Sequence, residues 1–339
     1  MSSRTIHVDP THPDPAAIAE AAELLRGGGL VAFPTETVYG LGANALDDAA
    51  VRRIFAAKGR PSFNPLIVHV AGVDEVRPVA REWPDLADAL ARAFWPGPLT
   101  IVVPKQPVVP ALVTAGLDSV AVRAPAHPVA RALLRAAALP VAAPSANRFT
   151  RLSPTTAAHV SRSLGNAVDL VLDGGPAHVG IESTVVDVTG GRVVLLRPGV
   201  ITADAIAQVA GPVTSRADLP KGDAPRPSPG MVDRHYAPVA TLRLFDPADP
   251  SDIAGARAAA AAIAAGGRPT GALTRTLPSL AVTHLVRMPE DPDGYARALY
   301  ASLHELDDRG CALVLVERVP ETNAWAGVRD RLGRAATPA

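Results

Sequence analysis

The sequence predicts an α/β protein in two parts: a large N-terminal domain over residues 1–211 and a smaller C-terminal domain over 239–339, joined by a linker at 212–238. Three observations lead there. Short β-branched and aliphatic runs alternate with segments whose apolar residues recur at helical spacing, the pattern of strands interleaved with helices around a mixed sheet. Between 212 and 238 the composition turns to Pro, Gly, Ser, Asp and Lys, as in Pro220-Lys221-Gly222-Asp223, too poor in apolar residues to build a core. After the linker the alternation resumes.

In the N-terminal part Asp14 can cap a helix that Pro15 opens, with Ile18, Ala21, Ala22 and Leu25 on one face and Gly27-Gly28-Gly29 ending it. Residues 30–33 read as a buried strand stopped by Pro34. Helices are predicted over 47–57, 86–94, 128–137, 155–164 and 203–209. Strands are predicted over 66–70, 99–103, 119–123, 141–143, 170–172, 184–188 and 193–196, the last two joined as a hairpin. The C-terminal part predicts strands over 240–245, 269–273, 284–287 and 312–316, and helices over 253–265, 293–307 and 323–334.

Lys+Arg and Asp+Glu both number 33, so the formal net charge is zero and nothing suggests binding to nucleic acid or to anionic membranes by bulk charge. Only three cations are lysines, Lys58, Lys105 and Lys221, against a background of arginine. An ammonium is a compact point charge and a guanidinium a rigid fork, so a rare lysine signals a chemical preference. The single cysteine, Cys311, lies in an apolar run; it excludes an internal disulfide and a cysteine-based metal site and reads as a small buried hydrophobe. No run reaches the roughly 18 apolar residues of a membrane span, and the N-terminus has no basic segment followed by an apolar one. The expectation is a cytoplasmic enzyme with no membrane contact.

Five segments could carry chemistry. Phe33-Pro34-Thr35-Glu36-Thr37-Val38-Tyr39-Gly40-Leu41-Gly42 takes a buried strand into hydroxyls, a carboxylate and two glycines, which suits a ligand loop or a tight polar turn. Lys58-Gly59-Arg60-Pro61-Ser62-Phe63-Asn64-Pro65 presents two cations on a proline-stiffened loop. This favours a polyphosphate over a mere complement to the helix dipole, and it is not a Walker A loop. Pro144-Ser145-Ala146-Asn147 follows another buried strand, with Ser153-Pro154-Thr155 beyond it as a helix cap. Glu182-Ser183-Thr184 and Arg197-Pro198-Gly199 flank the hairpin; Arg197 is either an exposed charge or a ligand contact. His235-Tyr236 in the linker docks on a ligand or anchors the linker. His69 is either a pocket residue or a satisfied core histidine.

Taken together in order, these segments resemble the Sua5/YrdC/YciO family, the threonylcarbamoyl-AMP synthases of tRNA modification. The likeness runs from Val31–Gly42 through Lys58-x-Arg60, Asn64-Pro65-Leu66-Ile67, Trp95-Pro96-Gly97-Pro98-Leu99-Thr100, Val122-Arg123-Ala124-Pro125, Ala143–Asn147, Glu182-Ser183-Thr184 and Arg197-Pro198-Gly199. His235-Tyr236-Ala237-Pro238 and the trailing domain mark the longer, Sua5 type. The resemblance implies a YrdC-like twisted mixed sheet with a large concave cleft, a Rossmann-like Sua5 C-terminal domain, and a linker closing over the active site. It implies the reaction of L-threonine, bicarbonate and ATP, with Mg²⁺, to L-threonylcarbamoyladenylate and pyrophosphate, for N6-threonylcarbamoyladenosine at position 37 of tRNAs reading codons that begin with A. The product would pass to the tRNA threonylcarbamoyl transferase machinery, with at most a weak contact to tRNA itself. On this reading Lys58 and Arg60 act on the phosphates. Ser62, Ser119, Ser145, Asn147, Ser153, Arg197 and His235 hold ATP. Thr35, His69, Arg123, Ser183 and the backbone near Ala143 hold threonine. No protein metal ligand, covalent nucleophile or dedicated base stands out. The alternatives are an RNA-binding module of the same fold, which the zero net charge disfavours, and a carbamoyl transferase, whose zinc fingers one cysteine cannot build.

Overall fold

A computed structural model describes residues 3–215, 228–229 and 235–337. Among these, the residues within Met1–Phe149 and Ser153–Met231 form one compact unit, and those within Thr150–Leu152 and Val232–Ala339 a second.

The first unit is built on strands β1 (Arg4–His7), β2 (Val31–Phe33), β3 (Gly40–Asn44), β4 (Ile67–His69), β5 (Leu99–Pro104), β6 (Ser119–Arg123), β7 (Val141–Ala142), β8 (Leu170–Asp173), β9 (Thr184–Asp187), β10 (Val193–Arg197) and β11 (Val213–Ser215). They lie in one mixed sheet, ordered β1-β8-β2-β3-β7-β4-β6-β5-β9-β10-β11. One face is covered along its length by helices including Asp48–Lys58 and Asp85–Phe94, whose Val51, Ile54, Leu90 and Ala91 pack on Val68, Ile101, Val122 and Val186. The other face divides. Over β8, β2 and β7, helices Pro15–Arg26 and Pro128–Ala137 bury Leu25, Val31, Phe33, Leu133 and Val141. Over β4, β6, β5, β9 and β10 the apolar residues Ile67, Val102, Ala121, Val185 and Leu196 come from strands alone.

Register places polar side chains on this second half. His69 pairs with Arg123, and Ile101 opposite Val122 sets Thr100 opposite Arg123. Residues opposite each other project to the same side of a sheet, and residues two apart share a face. Ser119, Ala121 and Arg123 of β6 therefore line the same surface as His69 and Thr100.

The second unit is a parallel sheet of β12 (Thr241–Phe245), β13 (Thr270–Thr274), β14 (His284–Arg287) and β15 (Leu313–Glu317), ordered β12-β15-β13-β14. Helices Pro250–Ala265, Pro292–Asp308 and Ala326–Ala335 accompany it.

Several elements differ from the sequence reading. The segment taken as a turn after Phe33 continues into β3, whose Gly40 and Gly42 hid it. A Cβ at Gly42 would lie 2.8 Å from Phe33 Cε1 and 2.9 Å from Val141 Cγ1, so the Phe33 ring occupies the place of a side chain. The edge strands β1 and β11 were unread, and β11 pairs with β10, so residues read as the start of the linker belong to the sheet. The cap of the helix after Ser153 is Thr156, whose side chain accepts from His159 N, and the helix is Ala157–Leu164. The last predicted helix begins as a 3₁₀ turn, Asn323–Trp325, before Ala326–Ala335. Lys221 and most of the linker expected to close over the site lie outside the described residues.

Candidate functional site

Helix Asp48–Lys58 ends because Gly59 adopts the left-handed conformation (φ 61°), its amide donating back to Ala56 O and Phe55 O. That reversal sets Lys58 and Arg60 on one short loop. Lys58 is 3% exposed, and its Nζ donates to the carbonyls of Ser145 (2.6 Å) and Asn147 (2.5 Å). Burial, and then the nearby Arg60 guanidinium, hold its ammonium well below the ordinary lysine range, while Glu182 opposes the shift. The loop after β7 is thus tied to the end of this helix by its backbone, with the Ser145 side chain half-buried. Asn147 is buried and donates through Nδ2 to Arg148 O (2.9 Å).

Arg60 folds over its own loop. Its Nε donates to Asn64 O (3.0 Å), and one terminal nitrogen to Asn64 Oδ1 (2.8 Å) and Pro65 O (2.6 Å). Asn64 is fully buried and its side-chain and backbone oxygens are used to hold this guanidinium. Ser62 is exposed between them.

Arg123, at the end of β6, is 4% exposed. It donates to Gly97 O (3.2 Å), Thr37 Oγ1 (2.9 Å) and Glu36 Oε1 (2.6 Å), and Glu36 Oε2 accepts from Ala126 N (2.9 Å). Three of the five guanidinium N–H groups are used. Among the described residues one remains on each terminal nitrogen, the number a bidentate carboxylate requires. Thr35 Oγ1 donates to Val38 O (2.6 Å) and meets Thr37 Oγ1 at 2.8 Å, so the Thr-Glu-Thr turn is organised around Arg123. His69 beside it is buried, stands edge-on to Phe33, and titrates at about 3 because of burial and the Arg123 charge. The ring is neutral at physiological pH.

Ser183 joins this cluster to Arg197. Its Oγ meets Thr100 Oγ1 at 2.8 Å and accepts from an Arg197 terminal nitrogen at 3.2 Å, and Arg197 Nε donates to Ser183 O at 3.1 Å. The buried Arg197 also donates to Pro229 O (3.2 Å), which settles against its reading as an exposed charge. Ala143 N donates to Ile67 O, placing that backbone beside β4.

Residues 23–199 match the Sua5/YciO/YrdC family model, described as telomere recombination, and residues 201–337 match the model of the threonylcarbamoyl-AMP synthase C-terminal domain. The chain belongs to the Sua5/YciO/YrdC family. It is 42% identical over 316 residues to the threonylcarbamoyl-AMP synthase of Pyrococcus abyssi, covering 93% of this chain and 92% of that protein. It is 41% identical over 324 residues to the Bacillus subtilis protein of the same name, covering 94% and 92%. Among solved structures it resembles Pyrococcus abyssi Sua5 complexed with L-threonine, with a TM-score of 0.89, 39% identity and 98% of both chains covered.

In this Sua5-type chain the remaining expected residues sit on separate elements. Ser153 is buried and donates to Glu182 Oε1 at 2.5 Å instead of capping a helix. Ser119 begins β6, four residues from Arg123 on the same face. His235 belongs to the second unit, where its amide donates to Arg334 O (3.0 Å) and its ring meets the buried Tyr236 edge-on at 4.0 Å. Tyr236 in turn lies beneath the fully buried Arg331 guanidinium, 5.2 Å from the ring centre, so the His-Tyr pair is anchored on the second unit's own helix.

Glu36, Glu182 and Thr100 were not singled out as site residues. Two of them carried a readable signal: each carboxylate sits in an otherwise uncharged segment beside a buried strand, a place where a carboxylate needs a donor.

Proposed function

We propose that this chain is an L-threonylcarbamoyladenylate synthase, joining L-threonine, bicarbonate and ATP with release of pyrophosphate. The observation that carries the reading is its end-to-end likeness to a Sua5 complexed with L-threonine, combined with a buried arginine that keeps one donor on each terminal nitrogen.

Arg123 takes the threonine carboxylate through those two donors, held in place by Glu36, Thr37 and Gly97. Thr35, Ser183 and the Ala143 backbone surround the amine and hydroxyl. Neutral His69 contributes no positive charge against the amine. The amine adds to the bicarbonate carbon; the nitrogen gives up a proton and a C–O bond breaks, so that water leaves and a carbamate remains, whose oxygen then attacks the α-phosphate as pyrophosphate leaves. Lys58, Arg60 and Arg197 supply positive charge to the phosphates, where negative charge builds on the leaving pyrophosphate during the displacement. Ser62, Ser119, Ser145, Asn147 and Ser153 complete the nucleotide contacts made by the first unit. The residues hold the threonine-derived carbamate and ATP in line, and proximity does most of the work.

Mg²⁺ enters with ATP, as part of the substrate. Among the described residues no three His, Cys, Asp or Glu side chains stand together as a ligand set. The product serves N6-threonylcarbamoyladenosine formation at position 37 of tRNAs reading codons that begin with A, handed to a transferase in the cytoplasm. No helix among the described residues is long and apolar enough to cross a membrane.

The test is pyrophosphate release from protein, ATP, Mg²⁺, bicarbonate and threonine. Release should require threonine and bicarbonate together. Release independent of threonine overturns the reading.

A further inference from the structure

The second unit has a cavity of about 820 Å³ that takes no part in the chemistry above. Its origin is in the sequence of helix Pro250–Ala265. That helix rests on the sheet mainly through alanines, with Ala256 and Ala260 buried. Methyl groups are too short to fill the space above β12, and a groove remains along that strand, floored by Leu313 and walled by Ala259 and Ile263.

β12 is an edge strand. Thr241 N donates to Ala312 O, and Phe245 O accepts from Arg318 N, so odd-numbered residues turn their backbone groups inward. Alternation sends those of Leu242 and Leu244 outward. Thr337 N already donates to Leu242 O at 2.9 Å, so the edge takes an extended segment running alongside it. Among the described residues the outward N–H and C=O of Leu244 have no such neighbour.

The groove is also cationic. Arg243, Arg268 and Arg318 line it. Its one acid, Asp252, is already bound to Arg243 (3.1 Å) and to Asp246 N (2.8 Å). Arg268 and Arg318 are exposed and have no acidic partner among the described residues. An unpaired edge is ordinarily blunted by a like-charged rim or by covering. Here the arginines that ward off basic strands also select acidic ones.

We infer that the open edge of β12 is a docking site for an extended acidic segment of a partner protein. The segment adds a strand at Leu244, places an apolar side chain in the groove and sets its carboxylates on Arg268 and Arg318. The inference is independent of the reaction proposed above, since none of these residues belongs to that site.

The test uses the full chain and two fluorescein-labelled peptides, one alternating Val and Glu, the other alternating Val and Lys, followed by fluorescence anisotropy. The acidic peptide should saturate below ~1 mM and the basic one should not. Arg268→Glu with Arg318→Glu should weaken the acidic peptide at least about tenfold, a loss of roughly 1.4 kcal/mol, while pyrophosphate release is unchanged. Residue-resolved amide exchange should slow at Leu244 when the acidic peptide is added. Equal binding of both peptides, no binding of the acidic one, indifference to the double substitution, or unchanged exchange at Leu244 each overturns the proposal. Self-association of the protein that disappears in the double variant also overturns it, by assigning the edge to a second copy of the chain.

Discussion

Glu36 accepts a hydrogen bond from Arg123 at 2.6 Å, and both side chains are buried. The pair joins the turn after β2 to the end of β6, so the charge proposed to take the threonine carboxylate is held by a charge supplied from a distant segment. Breaking a buried pair from one side costs far more than removing both partners, because the remaining ion has lost its solvation and its counter-charge. Glu36→Ala should destabilise the first unit by roughly 3–5 kcal/mol. The double replacement Glu36→Leu with Arg123→Met should recover much of that loss without recovering activity. Thermal unfolding of the two variants and the parent protein, with threonine-dependent pyrophosphate release, checks both statements.

On the proposed reading Lys58 acts on the phosphates and Lys105 does not. Lys58 is buried on two carbonyls, while Lys105 is half-buried with a single 3.2 Å contact to Val109 O. Lys58→Ala should lower turnover by roughly 10²-fold or more, the scale of losing one preorganised charge at a transition state. Lys105→Ala should stay within about twofold, by comparison with the small effects of changes away from such sites. Equal losses in the two variants would remove Lys58 from the phosphates.

Two histidines set an acid limit on stability. His69 is held down to about 3 by burial and Arg123; His127 is held down to about 4 by burial and the neighbouring His178. Unfolded histidine titrates near 6.5. Below that pH the unfolded chain takes up protons that the native state refuses. Their contribution is therefore fully present above about pH 6.5 and is lost as pH falls toward their native values. Each should steepen the decline by up to about 1.4 kcal/mol per pH unit. The urea midpoint followed from pH 7 to pH 5 should fall less steeply in His127→Asn than in the parent protein.

Gly42 is a packing requirement. Because a Cβ there would stand 2.8 Å from Phe33 Cε1, Gly42→Ala should destabilise by roughly 1–3 kcal/mol, the range of overpacked cores. Gly42→Ala combined with Phe33→Leu should be more stable than Gly42→Ala alone, as judged by denaturant unfolding.

The same glycine explains what the sequence could and could not convey. Helix Pro128–Ala137 was legible to the residue, because Pro128 at its first turn and an apolar face at Val129, Leu133 and Leu134 are local signals. β3 was not, since its core position is filled by the ring of another strand. In the site, Lys58, Arg60, Arg123 and Arg197 were legible as charges beside buried strands. The pairings that build the site around them were not: Glu36 lies 87 residues from Arg123, Ser183 lies 83 from Thr100, and Ser153 lies 29 from Glu182. Pairings of that separation are fixed by strand order, which no local pattern records.

The divided face of the large sheet has a consequence for how this chain tolerates change. Where helices Pro15–Arg26 and Pro128–Ala137 cover it, residues such as Ala21 and Leu133 answer only to folding. Where Ile67, Ala121 and Val185 line it without helices, residues answer also to whatever the surface receives. A library of variants scored once for cellular abundance and once for activity should separate the two halves: losses at Ala21 and Leu133 would appear in both scores, and conservative changes at Ile67, Ala121 and Val185 would appear in activity alone.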